Sequence, residues 1–493
     1  MSFYLQKFLD FLPSEVVIKI ANFRNYELLK ISANSNNIAD DFGFIAVKGV
    51  KFNGETCIDE VIKKGAKVVW AECDCRDFSE KYPSICFVQV ANSRLVNAFS
   101  CQFEYWENIE KLDLLAVSGT NGKTTTAYLF YQILSELNQK CGLISTVKYF
   151  DGKNFSDSIQ TTPAAETLFP LLNSCVLNGC KYVPMEVSSH SLAQYRLGKL
   201  KFKTAIFTNL TGDHLDFHGD MESYYQVKKQ LYLNHTEVAV INIGDSYGKR
   251  LADELRKESK VKIITFADGS LRNDADYILN INLKENSSDF LLNGISFKTN
   301  LLGNYNVLNL SGVLISLMEL GYSSEKLAAI VGSLFFNVPG RLELIKLKNG
   351  AKVFIDYAHT DDALNNVLSN LKKIPHKKII TVFGCGGDRD KTKRSRMGKV
   401  ATELSDYTII TSDNPRSEKP SEIIKDIQKG VAAAADFEIL ENRADAIRKS
   451  LTISENGDIV LIAGKGHENT QEINGEKLYF SDSEIVIKFN GEK

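Results

Sequence analysis

Apolar positions along the chain fall into two periods. Short, mostly apolar runs occupy 112–117, 182–187, 204–208, 238–243 and 261–266, and again 352–355, 379–383, 407–411 and 459–463. Runs of that length, bounded by Gly, Asn, Asp or Lys, predict strands buried on both faces. Between them the spacing changes to that of a helix. Leu129, Phe130, Ile133, Leu134 and Leu137 share one face, and 361–371 and 444–451 carry similar patterns. Strand alternating with helix predicts a parallel, doubly wound α/β sheet, whose ligand crevice lies beyond the carboxyl ends of the strands. Residues 1–108 mix shorter runs at 44–47, 68–71 and 85–90 with brief helical stretches. Punctuation shifts at Phe336-Asn337-Val338-Pro339-Gly340-Arg341, where a hinge is expected. Three domains follow: 1–108, 109–341 and 342–493, in keeping with about 150 residues per domain.

The polar motifs sit where such a sheet would use them. Gly119-Thr120-Asn121-Gly122-Lys123-Thr124-Thr125 directly follows the run 112–117 and opens a helix. Backbone N–H groups and a helix N-terminus then face an anion, Lys123 adds a point charge, and the Thr124 hydroxyl suits Mg²⁺. Val117 stands where the usual pattern has Gly, so the loop is a shortened variant, unlike that of GTPases and motors. The central sheet is therefore expected to be P-loop ATPase-like, and the C-terminal one Rossmann-like. Four further motifs follow predicted strand ends in the last third: Asp356 to His359, Gly384 to Arg389, Asp413 to Arg416 and Gly464 to Glu468. Glu186, closing the run 182–187, is placed to organise Mg²⁺. Asn209 to Gly219 gathers carboxylates and imidazoles, and five of the seven histidines (190, 214, 218, 359, 467) lie in such loops. No HExxH or Cys/His spacing appears, so oxygen ligands with one imidazole point to Mg²⁺ or Mn²⁺ rather than zinc.

Composition removes other classes. Lys plus Arg (59) nearly balances Asp plus Glu (61), which excludes a strongly basic nucleic-acid binder. Nine scattered cysteines predict reduced, mostly buried thiols. Asp10 and Glu15 interrupt the first apolar stretch, and no run approaches eighteen apolar residues. A cytoplasmic protein with no nucleic-acid or membrane partner is expected.

Taken in order, Gly119 to Thr124, Glu186 to His190, Asn209 to Gly219, Leu302-Gly303-Asn304-Tyr305-Asn306-Val307-Leu308-Asn309 and Asp356 to His359 resemble the ATP-dependent Mur ligases of bacterial peptidoglycan synthesis. The likeness spans nearly the whole chain. Val338 to Glu343, Gly384 to Asp390 and Gly464 to Glu468 place it nearest the branch that adds a diamino acid. The resemblance implies that ATP phosphorylates a substrate carboxylate and an amine then attacks the acyl phosphate, leaving an amide, ADP and phosphate. It implies ATP contacts from Gly119, Thr120, Asn121, Gly122, Lys123, Thr124, Thr125, Asn306, Arg341 and Asp356. It implies a catalytic set of Lys123, Glu186, His214 and Lys228, and metal ligation by Thr124, Glu186, His214 and Lys228. Lys228 matches a lysine that the family carries as a carbamate, which turns a cation into an anion able to hold Mg²⁺. Neighbouring Lys229 is the competing assignment, and the spacing from Tyr224 favours Lys228.

The nucleotide-sugar substrate, a UDP-MurNAc-dipeptide, is implied at Ser35, Thr161, Thr162, Ser189, Gln194, Arg196 and Lys228. Ser35 is flanked by Asn34 and Asn36 where the family has Asp and Arg, and Asp361 stands where Pro is usual. For the second substrate the resemblance implies Arg389, Asp413, Asn414, Pro415, Arg416, Gly464 and Glu468. A guanidinium binds carboxylate bidentately, so Arg416 in Asp-Asn-Pro-Arg points to meso-diaminopimelate, with Glu468 taking the distal amino group. L-lysine, lacking that carboxylate, and another amide ligase such as folylpolyglutamate synthetase are the alternatives. A monomer is expected.

Overall fold

The computed structural model describes residues 2–49, 52–284 and 287–492. The chain divides into two compact units, one of Met1–Leu115, Gln139–Lys203 and Gln230–Glu237, the other of Ala116–Asn138, Thr204–Lys229 and Val238–Lys493.

The first unit contains a five-stranded sheet in the order Val17–Ala21, Cys86–Val90, Val68–Ala71, Phe42–Ile45, Lys30–Ser32. The first pair is antiparallel and the rest are parallel. Central strand Val68–Ala71 is buried throughout, as its unbroken apolar run requires. Phe8, Val96 and Phe99 cover one face, and Ile58, Val61 and Phe44 pack on the other. Helix Ser93–Phe103 lies against helix Ala165–Leu177, where Asn97 Nδ2 donates to Glu166 Oε1 at 2.7 Å. The run at 182–187 forms strand Tyr182–Glu186, which pairs in parallel with Leu143–Ile144.

In the second unit, Thr236–Asn242, Lys262–Asp268 and Tyr277–Leu283 run parallel, and two antiparallel strands, Ser288–Leu292 and Ile295–Thr299, extend the edge. That edge was not expected from the sequence. Its strands are only partly buried, so the apolar runs that mark the others are missing. The C-terminal sheet has the order Glu343–Lys346, Lys352–Asp356, Ile459–Ala463, Ile379–Phe383, Tyr407–Ile410, Phe437–Ile439. Only its first pair is antiparallel. Leu364, Met397 and Ile424 pack on one face and Ile447, Leu451 and Val486 on the other, which makes it doubly wound. The last strand of the parallel set sits between the first two. Loops 357–360, 384–389, 411–416 and 464–468 follow four neighbouring interior strands and therefore gather at their carboxyl ends.

All nine cysteines are free, and seven of them are buried. Among the described residues no helix is long and apolar enough to cross a membrane.

Candidate active site

Strand Asp113–Ser118 turns into helix Lys123–Glu136 through a loop that only glycine can close. Gly119 and Gly122 have φ of +147° and +87°. A Cβ on Gly122 would lie 2.7 Å from Asn309 Oδ1, and one on Gly119 would lie 1.9 Å from Thr208 Oγ1. The following strand loop holds this turn in shape. Thr120 N donates to Asn209 O at 2.9 Å, Asn121 N to Asn209 Oδ1 at 3.0 Å, and Thr208 Oγ1 to Asn121 O at 2.6 Å.

Three basic side chains converge on the loop. Lys123 Nζ donates to Gly119 O and Thr120 O at 2.9 and 2.7 Å. Lys228 Nζ reaches Gly119 O at 2.9 Å and Ser118 Oγ at 3.4 Å. Arg341 Nη2 meets Thr124 Oγ1 at 3.1 Å. Such a concentration of basic side chains around a glycine loop at a helix N-terminus fits a polyphosphate. Lys228 is 1 % exposed. Burial pushes its ammonium well below the ordinary lysine value, Lys123 adds to this, and Asp213 opposes it. Lys229 faces elsewhere, paired with Glu254 at 2.8 Å and Glu258 at 2.6 Å. Of the two lysines weighed from the sequence, Lys228 is the one at the loop.

His214 takes a left-handed backbone, φ +56°, with Nε2 3.5 Å from Asp213 Oδ2. Burial would raise the Asp213 carboxyl, but His214, His359 and Lys393 bring it below its usual value. Tyr224 underlies this loop, stacked on His218 and hydrogen-bonded to Thr120 Oγ1 at 3.2 Å. The side chain of Asp216, in the same motif, lies outside the described residues. Among the described residues no three His, Cys, Asp or Glu side chains are grouped to hold a metal ion by themselves.

Asn306 is buried, its Nδ2 donating to Leu302 O at 2.9 Å. Asp356 accepts Leu342 N and Ala358 N at 2.7 and 2.8 Å. Burial raises its carboxyl, and Arg341 offsets part of that. Asp361 opens helix Asp361–Leu371 behind the Thr360 cap and pairs with Arg396 at 2.8 Å, so the departure from Pro leaves the helix start intact.

The diamino-acid motifs come together at the carboxyl ends of the parallel strands. Asn414 Nδ2 donates to Glu468 Oε2 at 2.9 Å, and Lys465 Nζ bridges Asn414 Oδ1 and Glu468 Oε2 at 3.0 Å each. Arg416 has φ +51°; its Nη1 donates to Gly387 O at 2.7 Å and Nε faces Glu472 at 3.4 Å. Pro415 lies so close to Gly387 that a Cβ there would sit 1.9 Å from its carbonyl oxygen. Arg389 is exposed on the same loop. Gly464 has φ +117° and would place a Cβ 2.7 Å from Asp413 Oδ2. Arg394, 1 % exposed, braces this loop through Glu418 at 2.8 Å and Asp426 at 3.1 Å.

Beneath lies a charge that the sequence did not single out. Arg443 and Asp482 are fully buried and joined by two hydrogen bonds of 2.8 and 2.7 Å, while Arg443 Nη1 stands 3.9 Å from Asp413 Oδ2. Replacing Arg443 by Met should cost about 3–5 kcal/mol, because it leaves the Asp482 carboxylate buried without its partner. Urea unfolding checks this: the double replacement Arg443→Met with Asp482→Leu should recover most of the loss, and a single variant as stable as the parent would refute it. Lys465 and Tyr357 were also passed over as individual residues, although both lie inside motifs the sequence marks.

In the first unit, Glu186 ends its strand fully buried, accepting Thr146 N at 2.7 Å and Thr146 Oγ1 at 3.1 Å. Thr161 Oγ1 meets the same threonine at 3.1 Å. Thr162 Oγ1 donates to Glu186 O at 2.9 Å and accepts Ser188 N at 3.0 Å, which sets the turn carrying buried Ser189. Arg196 joins the group through Thr162 O at 2.6 Å and Gln194 Oε1 at 2.7 Å. Ser35 lines a cavity of about 930 Å³ with Asn34, Asn36, Phe44, Asn97 and Glu166. Asn34 there caps a short turn through Asn36 N at 3.0 Å.

Known proteins share this plan. Residues 117–317 match the Mur ligase middle domain, and residues 340–466 match the family described as Mur ligase, glutamate ligase domain. The chain is 38% identical over 478 residues to the UDP-N-acetylmuramoyl-L-alanyl-D-glutamate--2,6-diaminopimelate ligase of Clostridium perfringens, covering 94% of this chain and 96% of that one. It is 38% identical over 488 residues to the enzyme of the same name from Alkaliphilus oremlandii, with 98% of each covered. A solved structure of a UDP-N-acetylmuramoyl-L-alanyl-D-glutamate--2,6-diaminopimelate ligase aligns with a TM-score of 0.68 and 30% identity, covering 100% of this chain and 99% of that one. A folylpolyglutamate synthase from Mycobacterium tuberculosis, at 15% identity and a TM-score of 0.62 over 75% of this chain and 92% of that one, shares the fold. With two family domains covering most of its length and relatives matched from end to end, the chain belongs to the Mur ligase family.

Proposed function

We propose that the protein joins meso-diaminopimelate to the D-glutamate of UDP-N-acetylmuramoyl-L-alanyl-D-glutamate, in the cytoplasm and as a monomer, with cleavage of ATP to ADP and phosphate. The division 1–108, 109–341 and 342–493 then assigns one domain each to the nucleotide sugar, ATP and the amino acid. The observation that carries the reading is the loop Asp413 to Arg416 locked against Glu468 and Lys465. It offers a guanidinium for a distal carboxylate and a carboxylate for a distal ammonium.

A carboxylate is a poor electrophile, and phosphorylation gives it a leaving group. The glutamate carboxylate oxygen attacks the γ-phosphorus, and the bond to ADP breaks. The amine of diaminopimelate then attacks the acyl carbon, phosphate departs, and the nitrogen loses its proton. Catalysis rests on holding these groups in line and neutralising the charge on the transferring phosphoryl. Lys123 and Arg341, both at the loop Gly119 to Thr124, supply that neutralisation. Asn306 and Asp356 serve the nucleoside. Thr124, Glu186, His214 and Lys228 as its carbamate would hold Mg²⁺. Hydroxyl, carboxylate and carbamate oxygens with one imidazole suit a hard cation whose remaining ligands are phosphate and water. When bound, that ion screens the phosphate charge. Ser35 and its cavity would take the uridine end of the substrate, and Thr161, Thr162, Ser189, Gln194 and Arg196 the sugar and peptide portions.

Phosphate release tests the reading: purified protein, ATP, Mg²⁺ and the UDP-muramoyl dipeptide, with meso-diaminopimelate or L-lysine added in parallel. Release with diaminopimelate alone is expected. Release with lysine alone would keep the ligase and overturn the assignment of Arg416, and release with neither would refute both.

A further inference from the structure

A cation that contacts the phosphate loop and a carboxylate of the amino-acid pocket both meet the same tyrosine, one on its ring and one at its hydroxyl. Tyr357 follows strand Lys352–Asp356. The guanidinium of Arg341, whose Nη2 contacts Thr124 Oγ1, lies 4.4 Å from the Tyr357 ring centroid. At the far end of the ring, Tyr357 Oη donates to Glu468 Oε1 at 3.5 Å. The other oxygen of Glu468 is already engaged twice, by Asn414 Nδ2 and Lys465 Nζ. Oε1 is therefore the oxygen left to meet an incoming ammonium, and the phenol is what orients it.

The ring itself is fixed. His359 and His467 pack at centroid distances of 4.7 and 5.3 Å, and a Cβ on Gly466 would come within 2.8 Å of Tyr357 Cβ. Burial raises the phenol above its ordinary value, so the hydroxyl remains a donor through the neutral range.

We propose that Tyr357 is a positioning residue that orients Glu468 for the amine and Arg341 for the phosphates with one ring. The proposal rests on the diaminopimelate reading above. Its two contacts are separable by substitution. Tyr357→Phe keeps the ring under Arg341 and removes only the donor to Glu468. KM for diaminopimelate should rise about fivefold, with KM for ATP and the unfolding midpoint unchanged. In a Glu468→Gln background the same change should have no further effect on KM for diaminopimelate, because the hydroxyl acts through that carboxylate. Tyr357→Leu removes the ring as well, and kcat should fall about tenfold further as Arg341 loses its support.

A Phe variant with unaltered KM for diaminopimelate would overturn the proposal. So would an equal rise in KM for ATP, or a full fivefold effect persisting beside Glu468→Gln. A parent enzyme that turns over diaminopimelate while the Phe variant matches it sinks this inference alone. A parent enzyme inert toward diaminopimelate sinks the substrate reading and this inference with it.

Discussion

Lys228→Ala is expected to lower kcat on the order of a thousandfold, the scale of losing one preorganised charge at a transferring group. The protein should stay folded. Lys228 is 1 % exposed, and its ammonium would be buried beside Lys123. Truncation also removes the hydrogen bonds to Gly119 O and Ser118 Oγ, so the urea midpoint measured beside turnover separates the activity loss from any loss of stability. The same burial prepares the modification. Burial holds the Lys228 amine well below the ordinary lysine value, which favours the unprotonated form, and an unprotonated amine is the form that captures CO₂. The resulting carbamate would place at the loop an anion able to hold Mg²⁺. Labelled bicarbonate with ¹³C NMR should show a carbamate signal that is absent from the variant. Full turnover by Lys228→Ala, or an active parent lacking the signal, would refute the assignment.

A pH dependence with a definite sign accompanies it. In CO₂-free buffer the folded chain sheds the Lys228 proton at a lower pH than the unfolded chain, whose lysine titrates near about 10.4. Between the two values the unfolded state binds more protons, so this residue's contribution makes stability rise with pH. Carbamylation should flatten that rise.

Arg416→Ala should raise KM for diaminopimelate about a hundredfold and leave KM for ATP unchanged. Nη1 gives one of its two hydrogens to Gly387 O at 2.7 Å and Nε faces Glu472, which aims the guanidinium. A carboxylate bound there loses two charge-assisted hydrogen bonds when the side chain is cut back. Arg416→Lys should recover little, since an ammonium cannot offer the planar fork. The left-handed backbone at this residue, φ +51°, strains arginine, lysine and alanine alike, so the comparison isolates the side chain. Diaminopimelate kinetics unchanged in Arg416→Ala would remove the argument for this substrate.

Locally coded parts of the fold and site were legible. Strands Ile379–Phe383 and Ile459–Ala463 and helix Asp361–Leu371 fall where their apolar periods place them. The phosphate loop could be read because its glycines, lysine and threonine are neighbours in the chain. Less legible were the partly buried strands. Val17–Ala21 and Tyr277–Leu283 expose much of their length, and no continuous apolar run announces them.

Adjacent residues on one helix pose a different problem. Lys228 and Lys229 sit about 100° apart around helix Met221–Asn234; hydropathy treats them alike, and only the spacing from Tyr224 in the family motif favours Lys228. Packing separates them, one onto the loop at Gly119 and one onto Glu254. The salt bridge of Arg443 with Asp482 joins residues far apart in sequence, each of which reads singly as a surface charge.

By itself, then, the sequence determined the α/β class, the phosphate loop and the family, because each is written in contiguous motifs whose chemistry is local. The tertiary structure alone decided that Lys228 packs against Gly119 while Lys229 pairs with Glu254, that the last parallel strand lies between the first two, and that Tyr357 touches both Arg341 and Glu468. Those facts depend on contacts between distant segments, and such contacts are chosen by the packing of the whole sheet, to which no single stretch of chain has access.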